Sequence, residues 1–213
     1  MPYESRLTSE GNSRIEIKKS IFIGHCATVA SPAEAADFIA KERKTYPDAR
    51  HVCYAWRTGG EAANQKSSDD GEPSGTAGQP LLALLTDNDV NNAIICVTRY
   101  FGGILLGKGG LMRAYRESGL AALSDGNPVV MTPGRELKIS CDYAFYEKLS
   151  RKAGLKGWTM ENVGFGSEVT LSLLLPEAEV KEAETFFADE SCGKVVPESG
   201  DEILIPGERI SLS

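Results

Sequence analysis

The chain has 213 residues, 41% of them hydrophobic and 25% charged, which is enough apolar material for one large domain or two small ones and excludes general disorder. Its formal net charge of -7 excludes broad, nonspecific attachment to nucleic acid or membranes, since both need basic surface. The charge is uneven, with 14 Lys+Arg against 15 Asp+Glu in residues 1–133, a net of -1, and 9 against 15 in residues 134–213, a net of -6.

Ile15 to Ile17 and Ile21 to Val29 read as strands around a Lys18-Lys19-Ser20 turn or bulge. A helix follows, with Ser31-Pro32-Ala33-Glu34 supplying N-cap, first-turn proline and capping-box glutamate, and Pro47 as its stop. His51 to Trp56 reads as another strand. From 58 to 78 the composition turns to Gly, Ser, Asp, Asn and Pro, which predicts a long acidic loop. Gln79 to Leu85 then predicts a short buried helix and Asn92 to Arg99 a buried strand. Lys108 to Leu123 predicts an amphipathic helix with Leu111, Met112, Tyr115, Leu120 and Leu123 as core positions.

Gly126-Asn127-Pro128 and Thr132-Pro133-Gly134 bracket an expected linker, after which the pattern restarts. Leu137 to Cys141, Trp158 to Val163 and Glu168 to Leu175 read as strands. Tyr143 to Ala153 and Pro176 to Ala188 read as helices, with a last strand at Lys194 to Val196 or Glu202 to Ile205. The order βαββαβ predicts a ferredoxin-like α+β sandwich. The expected organisation is therefore two domains, 1–130 and 134–213, of overall α+β class.

Cys26, Cys53, Cys96, Cys141 and Cys192 are odd in number, widely spaced and without a CxxC pair, which points to reduced thiols rather than a disulfide framework or zinc site. With no signal-length or membrane-spanning apolar run, a soluble cytoplasmic protein without membrane contact is expected. His25 and His51 are the only histidines; both fall on predicted strands and read as hydrogen-bonded structural residues. Ser74 and Thr76 have no base near them in sequence, so a hydrolase triad is unsupported.

Two glycine-rich segments stand out. The acidic one runs Asp69-Asp70-Gly71-Glu72-Pro73-Ser74-Gly75-Thr76-Ala77-Gly78, and the basic one spans Thr98-Arg99-Tyr100-Phe101-Gly102-Gly103 through Gly107-Lys108-Gly109-Gly110 to Arg113 and Tyr115. Gly102 to Lys108 fits GxxxxGK between a strand and a helix, but Gly109 stands where a P-loop needs Ser or Thr for magnesium. What survives is an anion site of backbone N–H groups at a helix start, reinforced by Lys108, Arg113 and Arg99. The glycines equally fit a tight turn whose arginines pair with Asp69, Asp70 and Glu72. Those carboxylates fit magnesium ligation, acid–base work, or capping of turns at Gly71 and Gly75. The two segments are expected to face each other across one cleft.

These segments, with His51-Val52-Cys53-Tyr54-Ala55, resemble the IMPACT family, in particular its bacterial members, most strongly over residues 15–125. The resemblance implies an N-terminal βα fold similar to the second domain of a small-subunit ribosomal protein and of elongation factor G, followed by a ferredoxin-like domain. It also implies a link to translation, although eukaryotic relatives act on a starvation kinase with an extra N-terminal domain that has no counterpart in these residues. By the motif, the binding surface comprises Asp69, Asp70, Glu72, Gly75, Thr76, Gly78, Arg99, Tyr100, Gly102, Gly103, Lys108, Gly109, Gly110 and Arg113, with no catalytic residue and no cofactor. Leu105 departs from the family pattern, which often has lysine there. The leading expectation is a non-catalytic binding or regulatory protein touching RNA, the ribosome or a translation factor. The alternatives are an enzyme acting on a small phosphorylated or carboxylated substrate with magnesium, and a peptide-binding module.

Overall fold

A computed structural model describes residues 4–59 and 64–213. They divide into two compact units, one running to Val130 and taking in Glu208–Ser213, the other Met131–Gly207.

The first unit contains β1 (Ser5–Leu7), β2 (Gly11–Ile17), β3 (Ser20–Thr28), α1 (Pro32–Thr45), β4 (His51–Thr58), β5 (Asn64–Ser68), α2 (Gly78–Asp87), β6 (Ala93–Tyr100) and α3 (Gly107–Asp125). Five of the strands form an antiparallel sheet in the order β2-β3-β6-β4-β5. The central strand β6 is a continuous apolar run because both of its faces are covered. Ile95 and Val97 join Leu81, Leu84, Tyr115 and Leu123 beneath α2 and α3, whereas Ile94 and Cys96 join Phe38 and Trp56 beneath α1. Each fully buried leucine here stabilises the unit by roughly 1.5–3 kcal/mol.

Local chemistry sets the element ends. The Ser31 hydroxyl accepts from the Glu34 amide at 3.2 Å while the Glu34 carboxylate accepts from the Ala30 amide at 2.9 Å, so the expected cap of α1 forms reciprocally. Lys18 and Lys19 make a two-residue hairpin turn with φ of 47° and 65°, the twist that suits adjacent strands. Asn-Gly would adopt that turn without strain; two lysines there cost roughly 1 kcal/mol each.

Three expectations are corrected. Asn64–Ser68, read as loop, is an edge strand paired with β4 from Tyr54↔Ser68 to Thr58↔Asn64; its all-polar sequence gives no strand signal because it faces solvent. Residues 60–63 of the same expected loop lie outside the described residues. Met112, expected in the core, is 45% exposed on α3. The expected linker is instead extended strand, the beginning of β7 (Pro128–Cys141), whose Pro128–Val130 pair with β1 inside the first unit.

In the second unit the remainder of β7 is followed by α4 (Tyr143–Lys156), β8 (Thr159–Phe165), β9 (Val169–Pro176), a 3-10 turn at Glu177–Glu179, α5 (Val180–Ser191) and β10 (Glu198–Arg209). The strand order β10-β7-β9-β8 with two helices is the ferredoxin-like arrangement, over a core of Leu137, Leu149, Leu171, Leu173 and Phe187. Asp142 caps α4 by accepting from the Phe145 amide at 2.7 Å.

All five cysteines are free thiols, four of them buried, and burial pushes the Cys26 and Cys53 thiols up to about 12. His25 lies between the carboxylates of Glu42 at 2.8 Å and Glu10 at 3.2 Å, and its hydrogen bond to Glu42 chiefly raises its pKa.

Candidate functional site

The acidic segment turns its carboxylates inward. Ala77 precedes α2 and has no side chain to cap it, so Asp69 does so from eight residues upstream. One Asp69 oxygen accepts from the amides of Ala77 and Gly78 at 2.8 and 2.9 Å, and the other from Gly75 at 2.8 Å. Burial works to raise the Asp69 carboxyl, but these amide bonds outweigh it and hold the group below its ordinary value. Asp70 receives the Arg43 guanidinium at 2.6 Å and the Val52 amide at 2.7 Å, and its carbonyl meets His51 Nδ1 at 2.8 Å. Its carboxyl is also lowered: burial opposes, and the Arg43 bond and Val52 amide prevail. Thr76, buried, donates to the Pro73 carbonyl at 2.6 Å, and Gly78 lies against the Ser68 backbone.

Asp69→Asn is therefore expected to cost about 1–2 kcal/mol. Because the folded carboxyl sits below its unfolded value, its stabilisation is present above an unfolded pKa of about 3.9 and lost as pH falls through the folded one. Urea unfolding midpoints measured between neutral and strongly acid pH check this: the acid-side decline must be shallower in the variant than in the parent.

The two glycine-rich segments meet in a buried ion pair rather than across an open cleft. Arg99 Nη1 donates to Glu72 Oε1 at 2.7 Å, and the Tyr115 hydroxyl donates to the same oxygen at 2.9 Å. The Arg99 and Glu72 side chains are only 7% and 4% exposed. Burial keeps the Tyr115 hydroxyl protonated by pushing its pKa far up. Ser20 Oγ accepts from Arg99 Nη2 at 3.4 Å and from the Gly102 amide at 3.1 Å. Tyr100 donates to Asp48 at 2.8 Å.

Beyond Arg99 the basic segment comes to the surface. Phe101, Gly103, Ile104 and Leu105 are exposed, Leu105 at 82%. Then α3 begins at Gly107 with no side-chain cap and no acid in its first turn, while Lys108, Gly109 and Arg113 face solvent beside half-buried Gly110. Arg113 folds back, Nη1 lying 3.7 Å from where a Cβ on Gly109 would stand. Gly102 packs so tightly on the β2–β3 turn that a Cβ would fall 2.0 Å from the Lys19 carbonyl carbon.

That contact adds residues which sequence reasoning missed. Lys18 and Lys19 read as a simple turn, yet the Ile21↔Tyr100 register sets their hairpin tip beside Phe101. The His51↔Arg99 pairing likewise brings Arg50 to the same end of the sheet. No sequence signal short of the strand register announces either. Lys18, Lys19, Arg50, Lys108 and Arg113 form no ion pair among the described residues, whereas Asp70 and Glu72 are each paired. At this end of an acidic protein these five cations outnumber the carboxylates that also lack an ion pair, Glu16 beside the turn and Asp48, which takes the Tyr100 hydroxyl.

Other features carry less. A cleft of about 600 Å³ between β2 and the end of α3 is lined by Arg14, Ser124, Asp125 and Arg209. Arg209 there bonds the Ser124 carbonyl at 2.6 Å and Asp125 takes the Asn12 amide at 2.9 Å, so these groups hold the fold. Among the described residues no three His, Cys, Asp or Glu side chains converge as a metal site, and no helix is long and apolar enough to cross a membrane.

Comparison with known proteins agrees with this layout. Residues 18–123 match the Impact N-terminal domain, and residues 139–194 match a domain of unknown function, DUF1949. The chain is 38% identical to IMPACT family member YigZ of Escherichia coli (strain K12), over 84% of this chain and 89% of that protein. It is 35% identical to IMPACT family member YvyE of Bacillus subtilis (strain 168), over 86% and 85%. A solved crystal structure of a hypothetical protein superposes with a TM-score of 0.57 at 34% identity, covering 94% of this chain and 98% of that one. The glycine-rich surface, the two units in this order and near full-length similarity to two bacterial members lead to one conclusion: the chain belongs to the IMPACT family.

Proposed function

We propose that this is a cytoplasmic, non-catalytic binding protein of the translation apparatus, and that it contacts RNA through the end of the first unit where the β2–β3 turn, the Phe101–Leu106 loop and the start of α3 meet. The observation that carries the reading is the concentration there of five cations without a carboxylate partner, in a chain of net charge -7. The uncapped, acid-free start of α3 adds backbone N–H groups and a positive dipole end suited to phosphate. Exposed Phe101 and Leu105 favour a partner with both charge and flat apolar surface over a bare inorganic anion. Membership of a family with translational regulators supplies the setting.

The reading as a magnesium-assisted enzyme has less support. It needs a carboxylate at the site ready to take up a metal or proton, and Asp69, Asp70 and Glu72 are each held by at least two hydrogen bonds.

Titrating purified protein into ribosomal RNA at several salt concentrations tests the proposal. Affinity is expected to fall steeply with salt, and Lys108→Ala with Arg113→Ala to reduce the logarithmic slope by about 1 per residue removed. Salt-independent association, or an unchanged slope in the double variant, rejects it.

A further inference from the structure

We propose that this face recognises an unpaired nucleotide, whose base stacks on Phe101; the inference rests on the preceding reading that the face binds RNA. It is carried by a column of flat groups that starts in the core and ends at the surface. Phe22 is fully buried and meets Tyr115 edge-on at 5.2 Å, with 88° between the ring planes. The guanidinium of Arg99, opposite Phe22 in the β3–β6 register, sits over that ring with its central carbon 5.4 Å from the centroid. The same carbon lies 5.5 Å from the centroid of Phe101. Phe101 is the outermost member and is 51% exposed.

Every layer below Phe101 is fixed. Arg99 is held by Glu72 and Ser20, Glu72 by Tyr115, and the chain just beyond Phe101 by the bond from the Gly102 amide to Ser20. A half-exposed aromatic ring on so rigid a support loses little conformational freedom when a further flat group is added. Aromatic rings at protein surfaces take nucleobases in this way, regardless of which base is offered.

A duplex does not fit this platform. Its bases already stack on one another, and what an A-form helix presents to a protein is backbone and a shallow groove. An unpaired base has a free face, and its flanking phosphates need cations on either side of the ring. Lys18 and Lys19 lie in the turn against which Gly102, the residue after Phe101, packs, and Lys108 and Arg113 follow the same loop at the exposed start of α3. The strained use of two lysines in the β2–β3 turn is then understandable, because Asn-Gly would make the turn but offer no charge.

The test measures binding by fluorescence anisotropy with a short single-stranded RNA and a blunt duplex of the same length, using the full chain. The single strand is expected to bind about tenfold more tightly, and Phe101→Ala to remove about that factor while leaving duplex binding unchanged. Phe101→Leu, which keeps an apolar side chain but no flat face, is expected to lose the same factor. Phe101→Trp is expected to keep it, with its emission quenched on binding. Equal affinity for the two RNAs, or wild-type affinity in Phe101→Leu, overturns the stacking site while the Lys108 and Arg113 effects still stand for RNA contact. If neither RNA binds, the broader reading falls with it.

Discussion

Arg99→Ala is expected to lower the stability of the first unit by about 3–5 kcal/mol, the usual consequence of removing one partner from a buried ion pair. The Glu72 carboxylate would keep its place at 4% exposure with Tyr115 as its remaining donor. Phe101 and Phe22 would lose the group between them, and Ser20 one of its two donors. Each unit contains one tryptophan, Trp56 in the first and Trp158 in the second, so urea unfolding followed by fluorescence in a Trp158→Phe background reports the first unit alone. The double change Arg99→Met with Glu72→Leu should recover most of the loss, because it removes both charges at similar volume. A loss below about 1 kcal/mol in the single variant would show that the pair does not brace the two glycine-rich segments.

Gly102→Ala is the second large effect, about 3 kcal/mol or more. Its added carbon would fall 2.0 Å from the Lys19 carbonyl carbon, 2.2 Å from that carbonyl oxygen and 2.3 Å from the Ser20 nitrogen. All three are backbone atoms in a hairpin, so the loop must lift rather than a side chain swing aside. Lifting it breaks the Gly102–Ser20 bond and moves the platform residue next to it. Gly103→Ala supplies the contrast: φ there is +84° but the space is open, so the change carries only the roughly 1 kcal/mol of an unfavourable backbone angle. The same unfolding measurement separates the two, and similar losses at both positions would rule out the close-packing account. Binding to single-stranded RNA should follow the same order.

Much of the fold was legible because its signals are local. The apolar run within Asn92 to Arg99 reads as a buried strand, and Ser31-Pro32-Ala33-Glu34 marks its helix start without outside help. The βαββαβ rhythm of the second unit survives in the observed order of strands. What escaped was the exposed edge strand Asn64–Ser68, which carries no apolar face, and the extended stretch from Pro128, where prolines and a glycine spell a linker. At the candidate site the sequence left two arrangements open, an exposed anion site that includes Arg99 or arginines paired with the acidic segment, and for Arg99 and Glu72 the structure has the second. Arg99 belongs by sequence with Lys108 and Arg113, yet as the penultimate residue of a strand covered on both faces it is turned into the protein, where only a carboxylate can accompany it. Lys18 and Lys19 sit about eighty residues from the motif they adjoin, a distance that only strand pairing closes.

The passage of the chain through the first unit has a thermodynamic corollary. Glu208–Ser213 rejoin that unit, with the Ile210 amide bonded to the Pro128 carbonyl at 3.0 Å and Ile210 and Leu212 packed on its core. The second unit is thus an insertion, tethered covalently at both ends. Should it melt first, it becomes a closed loop in the folded remainder, whose ends stay pinned at a loop-closure entropy cost that grows only as the logarithm of its length. Release of Ile210 and Leu212 would open that ring, so the terminal segment, which Arg116 of α3 also holds through the Ser213 carbonyl at 2.7 Å, couples the unfolding of the two units.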